Sequence, residues 1–210
     1  YKATSGSIFF DGKNITKVKA YERNRLGIAR TFQNIRLIKS MTVLENVLIA
    51  HPKCKEEKLL KAVFTPGRAN KVRREVVTEC EKLLEIVGLL DMEDEFATNL
   101  PYGKQRLLEI ARGLATEPKL LLLDEPGAGM NNFEKDELTS VIKHITGTMG
   151  INVLIIEHDM KFVMGISDRI IVLDHGQKIA EGLPAEIQAN EQVIQAYLGS
   201  GEFKDEDEDA

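Results

Sequence analysis

Two short apolar runs, each followed at once by polar or acidic side chains, organise the hydrophobic pattern of this chain. Residues 120–123 are consecutive leucines that precede Asp124 and Glu125, and residues 152–156 lead into a Glu-His-Asp triplet. Short apolar runs bounded by polar turns are typical of strands that are buried on both faces of a parallel sheet. We therefore predict two buried strands with reactive side chains at their carboxyl ends.

Three longer segments carry apolar residues at the three- and four-residue spacing of helices. They span residues 72–87, 103–116 and 133–145. A capping box predicts a fourth helix that starts at Thr42, runs to about Ala50 and is ended by Pro52. Asn131 and Glu134 form a cap-like pair for the helix at residues 133–145. Strands that alternate with helices in this way indicate an α/β fold.

Dipeptides that favour tight turns punctuate the rest of the chain. Asp11-Gly12 follows an apolar run and predicts a hairpin, as does the Asp-His-Gly sequence at residues 174–176. Pro66-Gly67 predicts a further turn.

The bulk composition fits one folded domain with an acidic tail. The 210 residues are 43% hydrophobic and 29% charged, which argues against global disorder. The net charge of −5 gives no basis for a nucleic-acid partner. Part of that charge lies in residues 201–210, which we expect to be a disordered tail. No apolar run reaches the roughly 18 residues of a transmembrane helix.

The cysteines and the other histidines are expected to have no catalytic role. Cys54 and Cys80 form no CxxC pair and no metal-type spacing, so we expect ordinary reduced thiols. His51, His144 and His175 are predicted to lie at the surface or in turns.

Polar side chains that suit phosphoanhydride hydrolysis follow three of the predicted strands. The carboxyl ends of parallel strands meet at one edge of a sheet, so we expect these groups to converge. One carboxylate suits Mg²⁺, which prefers hard oxygen ligands, and its neighbour can orient and deprotonate an attacking water. A histidine can hydrogen-bond a γ-phosphate, and an amide can bridge metal and water. The residues are Gln33, Asp124, Glu125 and His158.

Residues 100–106 (LPYGKQR), 120–126 (LLLLDEP) and 157–159 (EHD) together resemble the nucleotide-binding subunit of ABC transporters. The signature loop, the Walker B strand, the switch histidine and the glutamine loop occur in that family's order and spacing. The likeness extends to about Gly199. It implies the α/β fold of a P-loop NTPase-like ABC nucleotide-binding domain, with a mostly parallel sheet and a helical insertion subdomain.

The resemblance assigns a separate role to each residue at the strand ends. Asp124 would act on Mg²⁺ through water, and Glu125 would be the general base. His158 would be the switch histidine. Gln33 would sense the metal site, as a second metal-side residue, and would link it to the helical insertion.

The resemblance also places residues near a nucleotide that is bound by a partner subunit. Gly103 begins a helix, and a helix N-terminus offers N–H groups and a positive dipole end to a γ-phosphate. The D-loop, residues 127–131, would touch the opposite subunit. The implied nucleotide-contacting residues are Gln33, Pro101, Tyr102, Gly103, Lys104, Gln105 and Asn131.

Two positions depart from the usual family pattern. The signature LSGGQ reads Leu-Pro-Tyr-Gly-Lys here, and Pro101 supplies neither the hydroxyl nor the N–H of the usual serine. Asn131 stands where the D-loop commonly has aspartate. We interpret both as markers of one branch of the family.

The phosphate loop of the family, G-x-x-x-x-G-K-S/T, does not occur in the chain. Its backbone would cradle the phosphates, and its lysine would reach the β- and γ-phosphates. The family places this loop, with the first strands, upstream of a segment like residues 1–7. We expect that the chain begins after the loop, and that the chain alone binds ATP poorly and hydrolyses it hardly at all.

Five segments resemble the branched-chain amino acid importers, namely residues 30–37, 41–47, 126–131, 157–164 and 193–199. The resemblance implies the ATP-binding and hydrolysing subunit of such an importer. Importers of urea, amides or other amino acids are alternatives, because the substrate does not touch this subunit. A non-transport ABC ATPase and a catalytically inactive regulatory fragment are the remaining hypotheses.

The predicted organisation divides the chain into five parts. Residues 1–34 are expected to be an N-terminal sheet remnant of the catalytic core, and residues 35–100 the helical insertion. Residues 101–184 would carry the signature, Walker B and switch histidine of the core. Residues 185–200 would form C-terminal helices before the tail at 201–210.

The partners implied by the resemblance are ATP with Mg²⁺, a second ATP-binding subunit, two transmembrane permease subunits and, indirectly, an extracytoplasmic solute-binding protein. The implied location is the cytoplasmic face of the inner (plasma) membrane, as a peripheral subunit. In the family the helical insertion forms a groove that receives a short helix of the permease. We expect the groove to be lined or supported by Met41, Val43, Leu44, Val47 and Leu48.

Overall fold

The computed structural model of the protein describes residues 3–55 and 66–198. The chain divides into two compact units, Tyr1–Glu157 and His158–Ala210. The predicted tail at residues 201–210 lies outside the described residues. The five-part division predicted from the sequence stays a prediction.

A parallel sheet of three strands forms the centre of the first unit. Strand β3 (Ile28–Arg30) pairs with β4 (Leu120–Asp124), and β4 pairs with β5 (Asn152–Ile156). The run of leucines alternates across the sheet, so that Leu121 and Leu123 are almost fully buried. The α/β fold with a parallel sheet is confirmed.

The prediction that β5 is buried on both faces was wrong. Leu154 and Ile156 are 54% and 60% exposed, whereas Leu122, the partner of Leu154 on β4, is partly buried. Strand β5 pairs with β4 along one edge, and within the described residues no strand pairs with its other edge. Burial of an apolar run thus depends on what neighbours it, which the run itself does not encode.

A short hairpin precedes this sheet, as predicted. Strands β1 (Phe9–Phe10) and β2 (Lys13–Asn14) are antiparallel. Asp11 and Gly12 both have positive φ, at 51° and 74°, which is the geometry of a two-residue turn that matches the twist of its strands. Helix α1 (Ala20–Arg25) then leads to β3.

Two prolines start helices where the sequence predicted a helix end and a turn. Helix α2 (Val43–Leu48) is capped by Thr42 as predicted, but it ends before Pro52, which opens the short helix α3 (Pro52–Lys55). The predicted turn at Pro66-Gly67 is the first turn of helix α4 (Pro66–Ile86). Both corrections have the same cause: proline fits the first turn of a helix, where its missing N–H is not required.

Helices α5 (Tyr102–Leu114) and α6 (Asn132–Gly147) complete the first unit. Two 3-10 turns, Leu90–Met92 and Ala97–Asn99, lie between α4 and α5. The capping box predicted for α6 is present. An apolar face of α5 is fully buried, and its members are Leu107, Leu108, Ile110, Ala111 and Leu114.

The second unit is a hairpin covered by short helices. Helix α7 (Met160–Ile166) precedes strands β6 (Ile170–Asp174) and β7 (Gln177–Gly182), which form the predicted antiparallel hairpin. Helices α8 (Pro184–Gln188) and α9 (Glu191–Leu198) follow. Their shared core contains Ile170, Val172, Ala180, Ile187 and Val193. No helix among the described residues is long and apolar enough to cross a membrane.

A buried asparagine holds the chain that leads into α2. Asn46 is fully buried, and its amide oxygen accepts from the Ile38 N–H at 2.9 Å. Its amide nitrogen donates to the carbonyls of Ile38, Met41 and Thr42 at 3.0, 3.3 and 2.9 Å. One side chain therefore satisfies backbone groups of a segment that has no regular partner.

We expect Asn46→Ala to lower the free energy of unfolding by roughly 1–3 kcal/mol, because it leaves the Ile38 N–H without its acceptor and removes one of the donors to each of the three carbonyls. Denaturant titration followed by circular dichroism measures this change. Asn152→Ala, at an exposed position of β5, is the matched control and should have little effect. Equal stability of the two variants would contradict the role of Asn46.

Cys80 is expected to resist alkylation in the folded protein. It is a free cysteine, and burial raises its pKa to about 12. The reactive thiolate is therefore a fraction of about one in ten thousand at pH 8. Mass spectrometry after iodoacetamide treatment should find Cys80 unmodified at pH 8 and modified in urea. Rapid labelling of Cys80 without denaturant is the contrary result.

Candidate functional site

The carboxyl ends of β3 and β4 bring together the predicted metal-side and water-side residues of the first unit. The Arg30 guanidinium donates to the Asp124 carboxylate at 2.8 Å. Gln33 donates through Nε2 to Glu125 Oε2 at 3.0 Å. The convergence expected of these strand ends is therefore present for three of the four predicted residues.

The backbone at Glu125 separates the two adjacent acids. Glu125 has a φ of +45°, the left-handed region that costs a non-glycine residue roughly 1–3 kcal/mol. Its N–H donates to the Ile156 carbonyl at 2.9 Å, and its carbonyl accepts from the Ala128 N–H at 3.2 Å. The chain turns sharply after Asp124, and the two carboxylates consequently have different partners. Conformational strain of this kind is concentrated at functional sites.

The oxygen atoms at this edge fit a magnesium ion. The Asp124 side chain is 24% exposed and so is accessible from solvent. Gln33 uses its nitrogen for Glu125, which leaves its amide oxygen as the atom able to face a cation. A carboxylate and an amide oxygen are hard ligands of the type that Mg²⁺ prefers. The Arg30 guanidinium already neutralises part of the Asp124 charge. A magnesium ion bound to Asp124 would therefore share this carboxylate with Arg30.

The loop after Glu125 is tied to the end of β5 and to the start of α5. Glu157 Oε1 accepts from the Gly127 N–H at 2.8 Å. Gly129 has a φ of +76°, and a Cβ there would lie 3.1 Å from the ring of Tyr102. Gly129 is therefore favoured by its left-handed backbone and by the nearby ring, whereas a Cβ at position 127 would lie 3.1 Å from Glu157 Oε1, the end of a flexible side chain.

The signature residues form the first turn of α5. Pro101 is the N-cap, and it makes no side-chain capping hydrogen bond. The Gln105 N–H donates to the Pro101 carbonyl at 3.0 Å, so the N–H groups of residues 102–104 are those that a helix N-terminus leaves outside the helical ladder. Their position suits an anion such as a phosphate, and contact of this turn with a nucleotide stays a prediction.

Side chains of the signature turn are anchored to their surroundings. Gln105 donates to the Leu100 carbonyl at 2.8 Å, and the Lys104 ammonium lies 3.3 Å from Glu137. Gly103 is buried, and a Cβ there would overlap the carboxyl group of Glu134. A side chain at position 103 would therefore displace the Glu134 carboxyl group, which closes the capping box of α6.

Asn131 caps helix α6. Its side-chain oxygen accepts from the Glu134 N–H at 3.0 Å, and its own N–H donates to Glu134 Oε2 at 3.0 Å. The side chain is exposed. The predicted cap is confirmed, and contact of Asn131 with a nucleotide stays a prediction.

His158 is the first residue of the second unit, where it is exposed and followed by Asp159, which caps α7. Its role as switch histidine stays a prediction.

Sequence reasoning missed a buried charged pair on α5. Arg106 and Glu109 are 4% and 6% exposed, and burial raises the pKa of Glu109. The signal available in the sequence was a charged stripe at three-residue spacing, Arg106, Glu109 and Arg112, beside the apolar face of the helix.

A groove of about 390 Å³ adjoins the glutamine loop. It is lined by Gln33, Asn34, Ile35, Leu37, Lys39, Ala97, Thr98, Tyr102 and Gln105. None of the five residues predicted to line or support the groove of the helical insertion lines this one, and Val43 and Val47 are fully buried. The permease groove of the insertion stays a prediction.

His51 lies in the turn between α2 and α3, as one of the two predicted alternatives, but it is buried at 2% exposure and is not a surface residue. It lies near Glu79 and Glu117, a set with metal-ligand chemistry. However, His51 Nδ1 accepts from the Lys53 N–H at 3.2 Å, which places the ring proton on Nε2. Nε2 then donates to Glu79 at 2.9 Å, and it has no lone pair for a metal. The cluster is structural.

Two family models and several curated relatives match this chain. A family model described as ABC transporter matches residues 1–128, and one described as Branched-chain amino acid ATP-binding cassette transporter matches residues 177–202. The high-affinity branched-chain amino acid transport ATP-binding protein BraF of Pseudomonas aeruginosa is 42% identical over 199 residues, covering 95% of this chain and 78% of BraF. Its counterpart LivG of Escherichia coli K12 is 41% identical with the same coverage.

Solved structures of ATP-binding cassettes share the fold. The ADP conformation of an ATP-binding cassette of an ABC transporter has a TM-score of 0.78 at 34% identity, covering 95% of this chain and 79% of that chain. A nucleotide-free cassette has a TM-score of 0.73 at 33% identity, with 94% and 78% covered. A dimeric cassette in a post-hydrolysis state with ADP and Pi has 0.66 at 25% identity, with 88% and 75% covered. The chain therefore belongs to the ATP-binding cassette family of ABC transporters, among the branched-chain amino acid transport ATP-binding proteins.

Proposed function

We propose that the protein binds and hydrolyses ATP to energise an importer of branched-chain amino acids. The observation that carries this proposal is the separation of two adjacent carboxylates at the end of β4. Asp124 is paired with Arg30, and Glu125 is paired with Gln33. Two acids with different partners suit two different duties, one toward a metal ion and one toward a water molecule.

Each residue of the site has a proposed role in this reaction. Asp124 and Gln33 would hold Mg²⁺, which would neutralise charge on the phosphates. Glu125 orients the attacking water and accepts its proton. Gln33, hydrogen-bonded to Glu125, fixes the direction of that carboxylate. His158 donates a hydrogen bond to the γ-phosphate.

The signature side of the chain serves a nucleotide on a second ATP-binding subunit. The N–H groups at the start of α5 and the positive end of its dipole favour a phosphate. The contacting residues are proposed to be those of the signature and D-loop, Pro101, Tyr102, Gly103, Lys104, Gln105 and Asn131. A dimer is consistent with the dimeric relative, because the signature turn of one subunit would act on a nucleotide held by the other.

The proposed assembly adds two transmembrane permease subunits and, through them, an extracytoplasmic solute-binding protein. The groove beside Gln33 is proposed to receive a permease segment, because it adjoins the residue that contacts Glu125. Such an assembly places the protein at the cytoplasmic face of the inner (plasma) membrane. No nucleic-acid partner is proposed, in keeping with the net charge of −5.

The substrate is supported by a family model and by the curated relatives. The C-terminal match at residues 177–202 and the relatives BraF and LivG all carry the branched-chain amino acid description. Uptake assays of the assembled importer with leucine, urea and amides would separate this substrate from its alternatives.

ATP turnover should depend on a phosphate loop that the 210 residues do not contain. We expect the chain alone to hydrolyse ATP hardly at all, because no lysine or loop backbone holds the β- and γ-phosphates. A chimera with the phosphate-loop segment of BraF placed before Tyr1 should show Mg²⁺-dependent turnover. Strong turnover by the chain alone, measured by phosphate release, would refute this expectation.

Replacement of Glu125 by glutamine should lower turnover of the chimera by at least about 100-fold, since an amide cannot accept the proton of the attacking water. ATP should still bind, so that gel filtration with MgATP shows a persistent dimer. Glu85→Gln, at an exposed position of α4, is the matched control. Unchanged turnover in the Glu125 variant would remove Glu125 from the role of base.

A further inference from the structure

The stripe of charged residues on α5 faces the glutamine loop rather than solvent. Arg106 and Glu109 are buried, and Arg112 is partly buried. Charged side chains are rarely buried unless they are paired or hydrogen-bonded. The partners of this stripe therefore explain why it is retained within an otherwise apolar helix surface.

Backbone atoms of the glutamine loop are those partners. Arg106 donates through Nη1 to the Phe32 carbonyl at 2.9 Å and through Nη2 to the Gln33 carbonyl at 2.6 Å. Glu109 Oε1 accepts from the Phe32 N–H at 3.4 Å. Arg112 donates to the Arg36 carbonyl. Side chains of α5 thus bind the main chain of the loop, both at an N–H group and at carbonyl groups.

The loop itself has no regular structure that would hold it. The last sheet hydrogen bond runs from the Thr31 N–H to the Leu122 carbonyl, at 3.0 Å. Residues 31–38 then form neither helix nor strand. At residues 32 and 33 the side chains are exposed, and the Gln33 amide extends to Glu125. The position of that amide consequently depends on the backbone contacts made from α5.

The same arginine reaches the signature turn. The Tyr102 hydroxyl accepts from Arg106 Nε at 3.2 Å and from Nη2 at 2.9 Å. The Tyr102 ring lies against Gly129 of the D-loop. One guanidinium therefore contacts the glutamine loop directly and the signature turn directly, and it contacts the D-loop through the tyrosine ring.

We propose that Arg106, supported by Glu109 and Tyr102, is a positioning residue that fixes the glutamine loop so that Gln33 meets Glu125. This role rests on the proposed function for its effect on hydrolysis, but the contacts that fix the loop do not. Arginine is required because its planar fork reaches two successive carbonyls and a hydroxyl at once. A lysine ammonium is a single point donor and cannot span them.

Hydrogen–deuterium exchange on the 210-residue chain tests this clamp without nucleotide. In Arg106→Lys we expect the hydrogen-bonded amides at the start of the loop, those of Thr31 and Phe32, to exchange at least about tenfold faster, with β4 and β6 unchanged. Tyr102→Phe, which removes only the hydroxyl acceptor at a partly exposed ring, should give a smaller increase at the same residues. Arg25→Lys, the same chemical change at an exposed position, should give none.

Two results would overturn the clamp. One is loop exchange in Arg106→Lys that equals that of Arg25→Lys. The other is faster exchange spread evenly over β4 and β6, which reports general destabilisation and no local role. Tyr102→Phe keeps this decision possible if the lysine variant does not fold.

A double-mutant cycle in the chimera tests whether Arg106 acts through Gln33. Arg106→Lys and Gln33→Ala should each reduce turnover, and the double variant should match Gln33→Ala within about twofold. Reductions that multiply would show independent action and overturn the positioning role. Absence of turnover in the unmutated chimera would count against the proposed function alone, because loop exchange already decides the clamp.

Discussion

Parallel pairing between β3 and β4 is the constraint on which the site depends. Arg30 lies opposite Leu122, and Leu122 and Asp124 share a face of β4 because side chains alternate along a strand. Arg30 therefore points along the same face toward Asp124. Strand β3 ends there, and only the next few residues remain to carry Gln33 to Glu125. A shift of register by one residue would send Arg30 to the opposite face and break both contacts.

Local features of the fold were predictable from the sequence because they are encoded within a few residues. The capping boxes at Thr42 and Asn131 and the turn at Asp11-Gly12 each depend on side chains within one turn of the chain. Strand β4 was equally predictable, because its four consecutive leucines are followed directly by two acidic residues. The two proline errors have the same local character, because proline is compatible both with a turn and with the start of a helix.

The rest could not be predicted, because it depends on partners far away in the chain. Arg106 contacts carbonyls 74 and 73 residues away, and the sequence near Arg106 does not indicate these contacts. The exposure of β5 depends on which strands pair with it. The buried state of His51 depends on Glu79, 28 residues away. The two acids of the site were predicted because they directly follow a strand. Their separate partners, Arg30 and Gln33, are seen only in the structure.

Strain and buried charge are both placed where loops must be held in one position. Glu125 adopts an unfavourable backbone angle, and it is held there by hydrogen bonds of its own backbone to Ile156 and Ala128. Arg106 is withdrawn from water, and that cost is offset by carbonyls that would otherwise lack protein donors. A surface ion pair would be cheaper, but it would not fix a loop, because solvent competes for each contact. Because it is buried, the Arg106 guanidinium connects the signature turn rigidly to Gln33, the residue that contacts Glu125.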